Sequence, residues 1–122
     1  MQVIQIATAG HSGQYEDARL AVHFTTERVL LDLKALKLTR LEYKLLAVLT
    51  QQAGEIVPRA ALLMTVWGYG PDIRTRTLDV HIRRLRAKLG EYGRKHIETI
   101  FGSGYRLQPC RTQSLYSTIA AG

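Results

Sequence analysis

The chain has 122 residues, which is enough for one domain with one modest core. Its 46% hydrophobic content is ordinary for a globular protein, and no apolar run is long enough to span a membrane. The N-terminus lacks the basic flank of a signal peptide, and the single cysteine, Cys110, excludes an internal disulfide. One cysteine and four scattered histidines do not make a metal site. We therefore expect a cytoplasmic protein without a metal or other cofactor.

The positive charge is concentrated in one short part of the chain. The whole chain carries a formal charge of +7, and residues 74 to 95 account for +6 of it. The bases in that segment are Arg74, Arg76, Arg83, Arg84, Arg86, Lys88, Arg94 and Lys95, against Asp79 and Glu91. Such a local field attracts polyanions, of which nucleic acid is the commonest. Acidic membrane surfaces and acidic proteins are the alternatives.

The first third of the chain is predicted to contain a flexible segment followed by strands. Residues 1 to 18 show no sustained period and are expected to be a flexible N-terminal segment or linker. The runs LAVHF and RVLLDL are rich in branched residues and predict two strands joined by a turn, with a third short strand near residues 36 to 38. The sequence T-R-L-E from Thr39 is a capping box, so a helix begins there and ends near Gly54.

The remainder predicts two more helices and a hairpin. A second helix starts near Pro58 and is broken by the Gly- and Pro-rich residues 68 to 72. A basic helix covers 74 to 89, and a hairpin covers 97 to 107. The predicted fold is α+β, a winged helix-turn-helix: a three-helix core with an N-terminal antiparallel sheet and a C-terminal β-hairpin wing. The domain is expected over residues 19–108, and a frayed tail over 109–122.

The basic helix has one apolar stripe. At about 100° per residue, the side chains of Leu78, Ile82, Leu85 and Leu89 fall within an arc of about 60° that would pack on the other helices. A neighbouring stripe holds Thr77, His81, Arg84 and Lys88, with Val80 at its edge. Arg76 and Arg83 lie further round, and Arg86 flanks the apolar arc on its other side.

This pattern suits a helix lying in the major groove of duplex DNA, which is about 12 Å wide. The forked donors of Arg84 match guanine, and Val80 could touch a thymine methyl group. The flanking basic side chains, including Arg74, Arg83 and Lys88, could meet phosphates. Thr77 and His81 are short enough to reach a phosphate or a base edge. A solvated or protein-binding face with an Asp79–Arg83 ion pair is the alternative.

Three features outside the helix are ambiguous on their own. Gly102-Ser103-Gly104 permits close approach of the backbone to a phosphate, or is only a flexible turn. Trp67 is either a core residue or a donor of its indole N–H to a phosphate. Tyr105 can pack its ring under the hairpin while its hydroxyl points outward.

Four motifs together resemble the effector domain of OmpR/PhoB-type response regulators. They are L-T-R-L-E-Y-K-L-L at 38–46, V-W-G at 66–68, R-T-L-D-V-H-I-R-R-L-R-A-K-L at 76–89 and I-E-T-I-F-G-S-G-Y-R-L at 97–107. The resemblance covers about residues 20 to 108. It implies a bacterial transcription regulator whose recognition helix is 74–89 and whose wing is the hairpin. It also implies binding to direct repeats in promoters as a tandem dimer, with loop 68–75 as a candidate contact for RNA polymerase.

The resemblance also implies roles for individual residues. Arg76, Thr77, His81 and Arg86 match positions that meet the phosphate backbone, whereas Val80 and Arg84 match positions used for base edges. Trp67, Thr99 and Tyr105 match supporting contacts to the DNA backbone. Ser103, in the wing turn, completes the set of expected DNA-binding residues.

Two departures from the family accompany this resemblance. Family wings often read T-V-R-G-x-G-Y-R, but here Phe101 replaces the arginine, so we expect the wing to contribute less and the helix more. The phospho-acceptor receiver domain would need about a hundred further residues or more. We therefore expect either an excised effector domain or a regulator controlled in another way.

Three other functions compete with sequence-specific DNA binding. A winged-helix protein-interaction module would use the same basic face on an acidic partner. An enzyme is disfavoured because His81 and Cys110 fall on separate elements with no evident catalytic partner. RNA recognition is disfavoured because the basic helix offers no aromatic side chains for base stacking.

Overall fold

The computed structural model describes residues 13–111. These residues fall into two compact units. One comprises 13–37 and 109–111, and the other comprises 38–108.

The first unit is an antiparallel sheet of four strands within the described residues. The strands are β1 (Gln14–Glu16), β2 (Leu20–His23), β3 (Arg28–Leu31) and β4 (Lys34–Leu36), paired in the order β1-β2-β3-β4. Strands β3 and β4 are joined by a two-residue turn, Asp32–Leu33, with φ angles of 51° and 72°. Left-handed conformations at both positions suit the twist of a tight hairpin. The sheet of consecutive hairpins confirms the predicted N-terminal antiparallel arrangement.

The edges of this unit differ from the sequence prediction. Strand β1 lies within the segment expected to be irregular, because three residues are too few to show a period-two pattern. Its last residue is followed by Asp17, whose carboxylate accepts hydrogen bonds from the backbone N–H groups of Leu20 and Cys110. Cys110 is buried, so ordered structure extends into the predicted tail. The rest of the predicted flexible ends, residues 1–12 and 112–122, lies outside the described residues.

The second unit contains the helices and the hairpin. The helices are α1 (Arg40–Gln51), α2 (Arg59–Leu62), α3 (Thr77–Leu89) and α4 (Glu91–His96). One π-helical turn, Leu63–Trp67, continues α2. Three strands form its sheet: β5 (Val57–Pro58), β6 (Ile97–Ile100) and β7 (Gly104–Leu107), in the order β5-β7-β6.

The predicted start of α1 is confirmed by its hydrogen bonds. The Thr39 hydroxyl accepts from the backbone N–H of Glu42 at 3.2 Å, and the Glu42 carboxylate accepts from the backbone N–H of Thr39 at 2.9 Å. Two N–H groups that would otherwise lack a helical partner are thereby satisfied. This reciprocal pair fixes where the helix begins.

The predicted apolar stripe of α3 forms the centre of this unit. Its four residues are at most 2% exposed, as are Leu45, Leu46 and Leu49 of α1 and Leu62 of α2. Burial of each such side chain stabilises the fold by roughly 1.5–3 kcal/mol. With one side of α3 held inward, the opposite side is left facing solvent.

Helix α3 is shorter than predicted. It begins at Thr77, so Arg74 and Arg76 lie before it, in the loop and at its N-cap. The Thr75 hydroxyl accepts a hydrogen bond from the backbone N–H of Thr77 at 3.0 Å. This local bond competes with helical pairing and stops the helix from extending backward.

Helix α4 and the π-helical turn are absent from the sequence prediction. Helix α4 has six residues and contains Gly93, which is a poor helix former. A Cβ atom on Gly93 would lie 2.6 Å from the carbonyl oxygen of Arg86, so this glycine permits close packing of α4 on α3. The turn Leu63–Trp67 carries the predicted apolar pattern, and that pattern does not distinguish α from π geometry over five residues.

The hairpin is confirmed and is joined to a third strand. Strands β6 and β7 pair with Thr99 opposite Tyr105, and β7 also pairs with β5 through Val57 opposite Tyr105. Gly104 is required at this crossing, because a Cβ atom there would lie 2.1 Å from the carbonyl oxygen of Val57. The wing is thus anchored on both sides of β7.

Candidate nucleic-acid interface

The outer face of α3 presents two arginines to solvent. Arg83 and Arg84 are exposed, and Val80 and His81 beside them are partly exposed. Within residues 13–111, the Arg83 and Arg84 side chains form no hydrogen bond or ion pair. We call Val80, His81, Arg83 and Arg84 the outer ridge. Its two guanidinium groups keep all their donors for an external ligand.

Asp79 pairs with a different arginine from the one predicted. The Nη1 atom of Arg59, the first residue of α2, lies 2.6 Å from Asp79 Oδ1, and the Tyr105 hydroxyl donates to the same oxygen. The Asp79–Arg83 pair of the alternative interpretation is therefore not formed, because Arg59 approaches from a neighbouring element. The Tyr105 hydroxyl likewise points to Asp79 instead of outward.

The three groups shift one another's pKa values. The hydrogen bond from Arg59, with a further bond from Tyr105, holds the pKa of Asp79 below its usual value in spite of burial. Burial, followed by the hydrogen bond to Asp79, raises the pKa of Tyr105. Asp79 is thus a carboxylate that ties α2 and β7 to the first turn of α3.

Arg86 connects the third turn of α3 to the wing. Its Nε and Nη2 atoms donate to the carbonyl oxygen of Ile97 at 3.0 and 2.8 Å, and Nη2 also donates to the Thr99 hydroxyl at 2.8 Å. Its guanidinium carbon lies 5.7 Å from the centre of the Tyr105 ring. The structure therefore brings Arg86, Thr99 and Tyr105 together with each other and not with the outer ridge.

Lys88 is paired within the protein. Its Nζ atom lies 2.6 Å from Glu42 Oε1, and the Glu42 side chain is only 3% exposed. Burial raises the pKa of Glu42, but the hydrogen bonds from Lys88 and Thr39 outweigh it and bring the pKa below its usual value. A charged Glu42 keeps Lys88 at the base of α1, although the sequence placed Lys88 on the DNA-facing stripe.

His81 is held by two neighbours. Its Nδ1 atom lies 2.9 Å from the carbonyl oxygen of Thr77, and its ring meets Trp67 edge-on with centroids 5.1 Å apart. A carbonyl oxygen only accepts, so Nδ1 carries a hydrogen there. Neutral His81 then offers Nε2 as an acceptor, and only the imidazolium form donates to a phosphate.

The loop before α3 borders a cleft. Arg74 and Arg76 are exposed, and the Thr77 hydroxyl is bonded to Thr75 at 2.8 Å. A cleft of about 420 Å³ separates the loop from α2. Its lining includes Arg59, Leu63, Pro71, Ile73 and Arg74. Ser103, in the wing turn, is exposed and lies away from this cleft's lining.

Sequence reasoning missed the internal partners of this surface. Arg59 and Glu42 lie 20 and 46 residues before the side chains they bind, and no local spacing marks them. The sequence pattern gives Glu42 a role in the helix cap alone, and its carboxylate can accept further hydrogen bonds. The signal for the Lys88–Glu42 pair is a basic residue on one helix that faces a carboxylate at the start of another helix. That signal becomes visible only once the packing of the two helices is known.

The described residues were also compared with the requirements of a metal site and of a membrane span. Among residues 13–111, no group of three or more His, Cys, Asp or Glu side chains could hold a metal ion. Over the same residues, no helix is long and apolar enough to cross a membrane.

Helices α2 and α3 joined by a short loop, with a hairpin beside α3, define a winged helix-turn-helix domain. The family model described as "Transcriptional regulatory protein, C terminal" matches residues 33–107. The chain belongs to this family, whose relatives include response regulators.

Two curated relatives show the extent of the similarity. The DNA-binding dual master transcriptional regulator RpaA of Synechocystis sp. is 46% identical over 77 residues, covering 62% of this chain and 32% of RpaA. The transcriptional regulatory protein HprR of Escherichia coli is 47% identical over 72 residues, covering 58% of this chain and 32% of HprR. The chain thus matches about a third of the length of these relatives.

Solved structures share the fold. The DNA-binding domain of Klebsiella pneumoniae RstA, crystallised in complex with the RstA box, has a TM-score of 0.72 and 29% identity, covering 80% of this chain and 98% of that one. The DNA-binding domain of CpxR from E. coli also has a TM-score of 0.72, with 30% identity and the same coverage. These likenesses support the predicted winged-helix architecture.

Proposed function

We propose that this chain binds double-stranded DNA sequence-specifically, with α3 in the major groove, and so regulates transcription. The observation that carries the proposal is the outer ridge: Arg83 and Arg84 are exposed and unpaired within residues 13–111. An exposed helix face with unused guanidinium donors matches the width and acceptors of the major groove. The RstA domain bound to its box gives support from a similar fold.

The residues of the surface divide into two groups by what their side chains already contact. Arg84 is proposed to read a guanine through its forked N–H donors, and Val80 is proposed to contact a thymine methyl group. The proposed phosphate contacts are Arg74, Arg76, Thr77, His81, Arg83, Trp67 and Ser103. The proposed His81 contact uses Nε2, since Nδ1 is bonded to the carbonyl oxygen of Thr77.

The side chains of the second group hold those of the first group in position. Arg86, Lys88, Thr99 and Tyr105 are bonded to other parts of the same unit. We propose that they hold α3 and the wing in place for DNA, in contrast to the direct contacts expected from the sequence. Thr99 does so by accepting a hydrogen bond from Arg86 at 2.8 Å.

The proposal extends to partners by family resemblance. Tandem binding to direct repeats in promoters fits a family of transcriptional regulators. Loop 68–75 is proposed to contact RNA polymerase. The cleft beside this loop supports that role, because Pro71 and Ile73 add apolar surface to its lining.

The test compares Arg84 with a matched basic residue outside the outer ridge. Arg84→Ala should weaken binding to the preferred duplex by about 1–3 kcal/mol and relax specificity at one base pair. Lys37→Ala removes the same charge from an exposed position before α1 and should leave discrimination unchanged. Preferred duplexes would come from sequencing the bound pool of genomic fragments at two salt concentrations.

A second variant separates phosphate contacts from base reading. Arg76→Ala should weaken all sequences alike and reduce the salt slope by about one. If Arg84→Ala and Arg76→Ala lose the same affinity on every duplex, the proposed division of roles is wrong. Equal binding of wild-type protein to promoter and random duplexes, with a negligible salt slope, would contradict sequence-specific DNA binding. It would favour the alternative function, a protein-interaction module.

A further inference from the structure

His81 is the residue of the outer ridge whose charge can change near neutral pH. The other three are a valine and two arginines, which keep one charge state between about pH 5 and pH 8, whereas a histidine ordinarily gains or loses a proton in that range. We propose that His81 takes up a proton when the ridge binds duplex DNA, so that affinity for DNA rises as the pH falls. This inference rests on the proposed function and adds control by pH to the same surface.

The imidazole ring of His81 has one nitrogen bonded to the protein and one without a protein partner. Nδ1 lies 2.9 Å from the carbonyl oxygen of Thr77 and donates its hydrogen there. Within residues 13–111, Nε2 forms no hydrogen bond, and His81 is partly exposed. The proton that is gained or lost is therefore the one on Nε2. Its loss changes that atom from a donor into an acceptor.

Trp67 holds the imidazole ring in this orientation. The indole and imidazole rings meet edge-on, with centroids 5.1 Å apart and an interplanar angle of 73°. Trp67 is in turn stacked with Tyr69 at 6.4 Å. The contact with the indole and the bond to Thr77 together oppose a rotation that would exchange the two ring nitrogens. A ring that is already held loses little conformational freedom when it binds a ligand.

No acidic side chain in the described part of the chain pairs with His81. The π-helical turn beside it contributes the uncharged ring of Trp67 and, stacked on that ring, Tyr69, a phenol that carries no charge in the histidine range. On α3 itself, the charged residue at neighbouring helical spacing is Arg84, which has the same sign as an imidazolium. Asp79, the nearest acid along the helix, is bonded to other side chains. A negative charge that stabilises the imidazolium therefore comes from a ligand.

A DNA phosphate supplies that negative charge. Its oxygens accept a charge-assisted hydrogen bond from the imidazolium Nε2–H, whereas a neutral ring presents a lone pair to them. The complex therefore holds one proton more than the free protein across the histidine range. A state that holds more protons is weakened as the pH rises. Affinity is thus highest where His81 is charged in both states, and it falls until the complex has also lost the proton.

The experiment measures affinity for the duplex selected by wild-type protein at about pH 5.5 and about pH 8, each at several salt concentrations. Wild-type protein should bind roughly tenfold more tightly at the lower pH. Its salt slope there should be steeper by about one, because one more phosphate is neutralised. His81→Gln should lose both differences, since glutamine offers a neutral donor at either pH. His81→Arg should keep the steeper slope at both pH values, since arginine stays charged.

The fluorescence of Trp67, the single tryptophan of the chain, gives a local measurement of the same proton. An imidazolium in contact with an indole quenches its emission, so the emission of free wild-type protein should fall as the pH is lowered. Addition of the duplex should move the midpoint of this transition to higher pH by about one pH unit, which corresponds to the tenfold change in affinity. His81→Gln should remove the transition.

His23→Gln is the matched control, because His23 is a partly exposed histidine on β2. This variant should keep the wild-type dependence on pH, and circular dichroism would establish that all variants are folded. If His81→Gln binds the selected duplex with the wild-type dependence on pH, or if the duplex leaves the midpoint of the Trp67 transition unchanged, the inference is overturned and the proposed function stands. Failure of wild-type protein to select any duplex would overturn the proposed function instead.

Discussion

Individual side chains at this surface are distinguished by their partners more than by their type. Arg83 and Arg84 are exposed without internal partners in the described chain, whereas Arg86, on the same helix, is bonded to Ile97 and Thr99. The same chemical group is therefore open to an external ligand at two positions and bonded within the protein at a third. A count of bases on the helix does not separate these uses.

Asp79 makes the stability of the domain sensitive to acid. Arg59 and Tyr105 lower its pKa below the usual 3.8, so folding favours the carboxylate over the acid form. The stabilisation is present above about pH 4 and is lost as pH falls through the lower pKa of the folded state. Asp79→Asn should cost about 0.5–1 kcal/mol at neutral pH, because the pair with Arg59 is partly exposed.

Urea unfolding at a series of pH values measures this effect. The difference between wild-type protein and Asp79→Asn should shrink between about pH 5 and pH 2. Asp72→Asn, at an exposed position in the loop before α3, is the control and should follow the wild-type curve. A difference that stays constant down to pH 2 would contradict a charged Asp79 in the folded state.

At the scale of elements, close approaches of backbone set the positions of α3, α4 and the wing. Gly93 and Gly104 stand where the neighbouring backbone leaves no space for a Cβ atom. Strand β7 is consequently fixed against β5, and helix α4 is fixed against the third turn of α3.

Gly93→Ala should destabilise the domain by about 1–3 kcal/mol. Helix propensity alone favours alanine by about 1 kcal/mol, but the new Cβ would lie 2.6 and 2.8 Å from backbone atoms of Arg86. Gly70→Ala is the matched control, because nothing lies within 4 Å of its Cβ position. Thermal unfolding would measure both variants. A Gly93→Ala variant more stable than wild type would show that α4 moves away at little cost.

The elements differ in how well the sequence predicts them. The apolar stripe of α3 and the capping box at Thr39 depend on spacings of three and four residues, which the sequence displays directly. The bonds of Asp79, Arg86 and Lys88 join side chains to partners 20, 11 and 46 residues away. Asp79 also had a plausible local partner in Arg83, so spacing alone favoured the wrong pair. Long-range choices of this kind depend on how the elements pack.

At the scale of the whole molecule, the internal pairs reduce the charge available for DNA. Of the eight bases in residues 74–95, Lys88 is bonded to Glu42, Lys95 to Glu91 and Arg86 to the wing. Of the other five, Arg74, Arg76, Arg83 and Arg84 are exposed at the proposed interface, and Arg94 is exposed on α4. The domain thus presents a smaller cationic surface than its composition indicates.

The salt dependence of binding measures this reduction. On a duplex with one site, log Kobs against log salt should have a slope of roughly −3, because Arg74, Arg76 and Arg83 are the arginines proposed to contact phosphates, where eight phosphate contacts would give about −7. Lys88→Gln should leave the slope unchanged while lowering stability, because Glu42 loses its buried partner. A slope near −7, or one that falls by about one in Lys88→Gln, would show that Lys88 leaves Glu42 to reach DNA.

The bond from Arg86 to the wing has a consequence for redesigning this domain. The outer ridge and the residue that attaches the hairpin lie on different sides of one helix, so the first can be exchanged while the second is kept. Under the proposed function, retargeting to a new operator would require replacing only the four residues of the outer ridge, Val80, His81, Arg83 and Arg84. A transplanted helix without an arginine at position 86 would lose the hydrogen bonds to Ile97 and Thr99 that attach the hairpin.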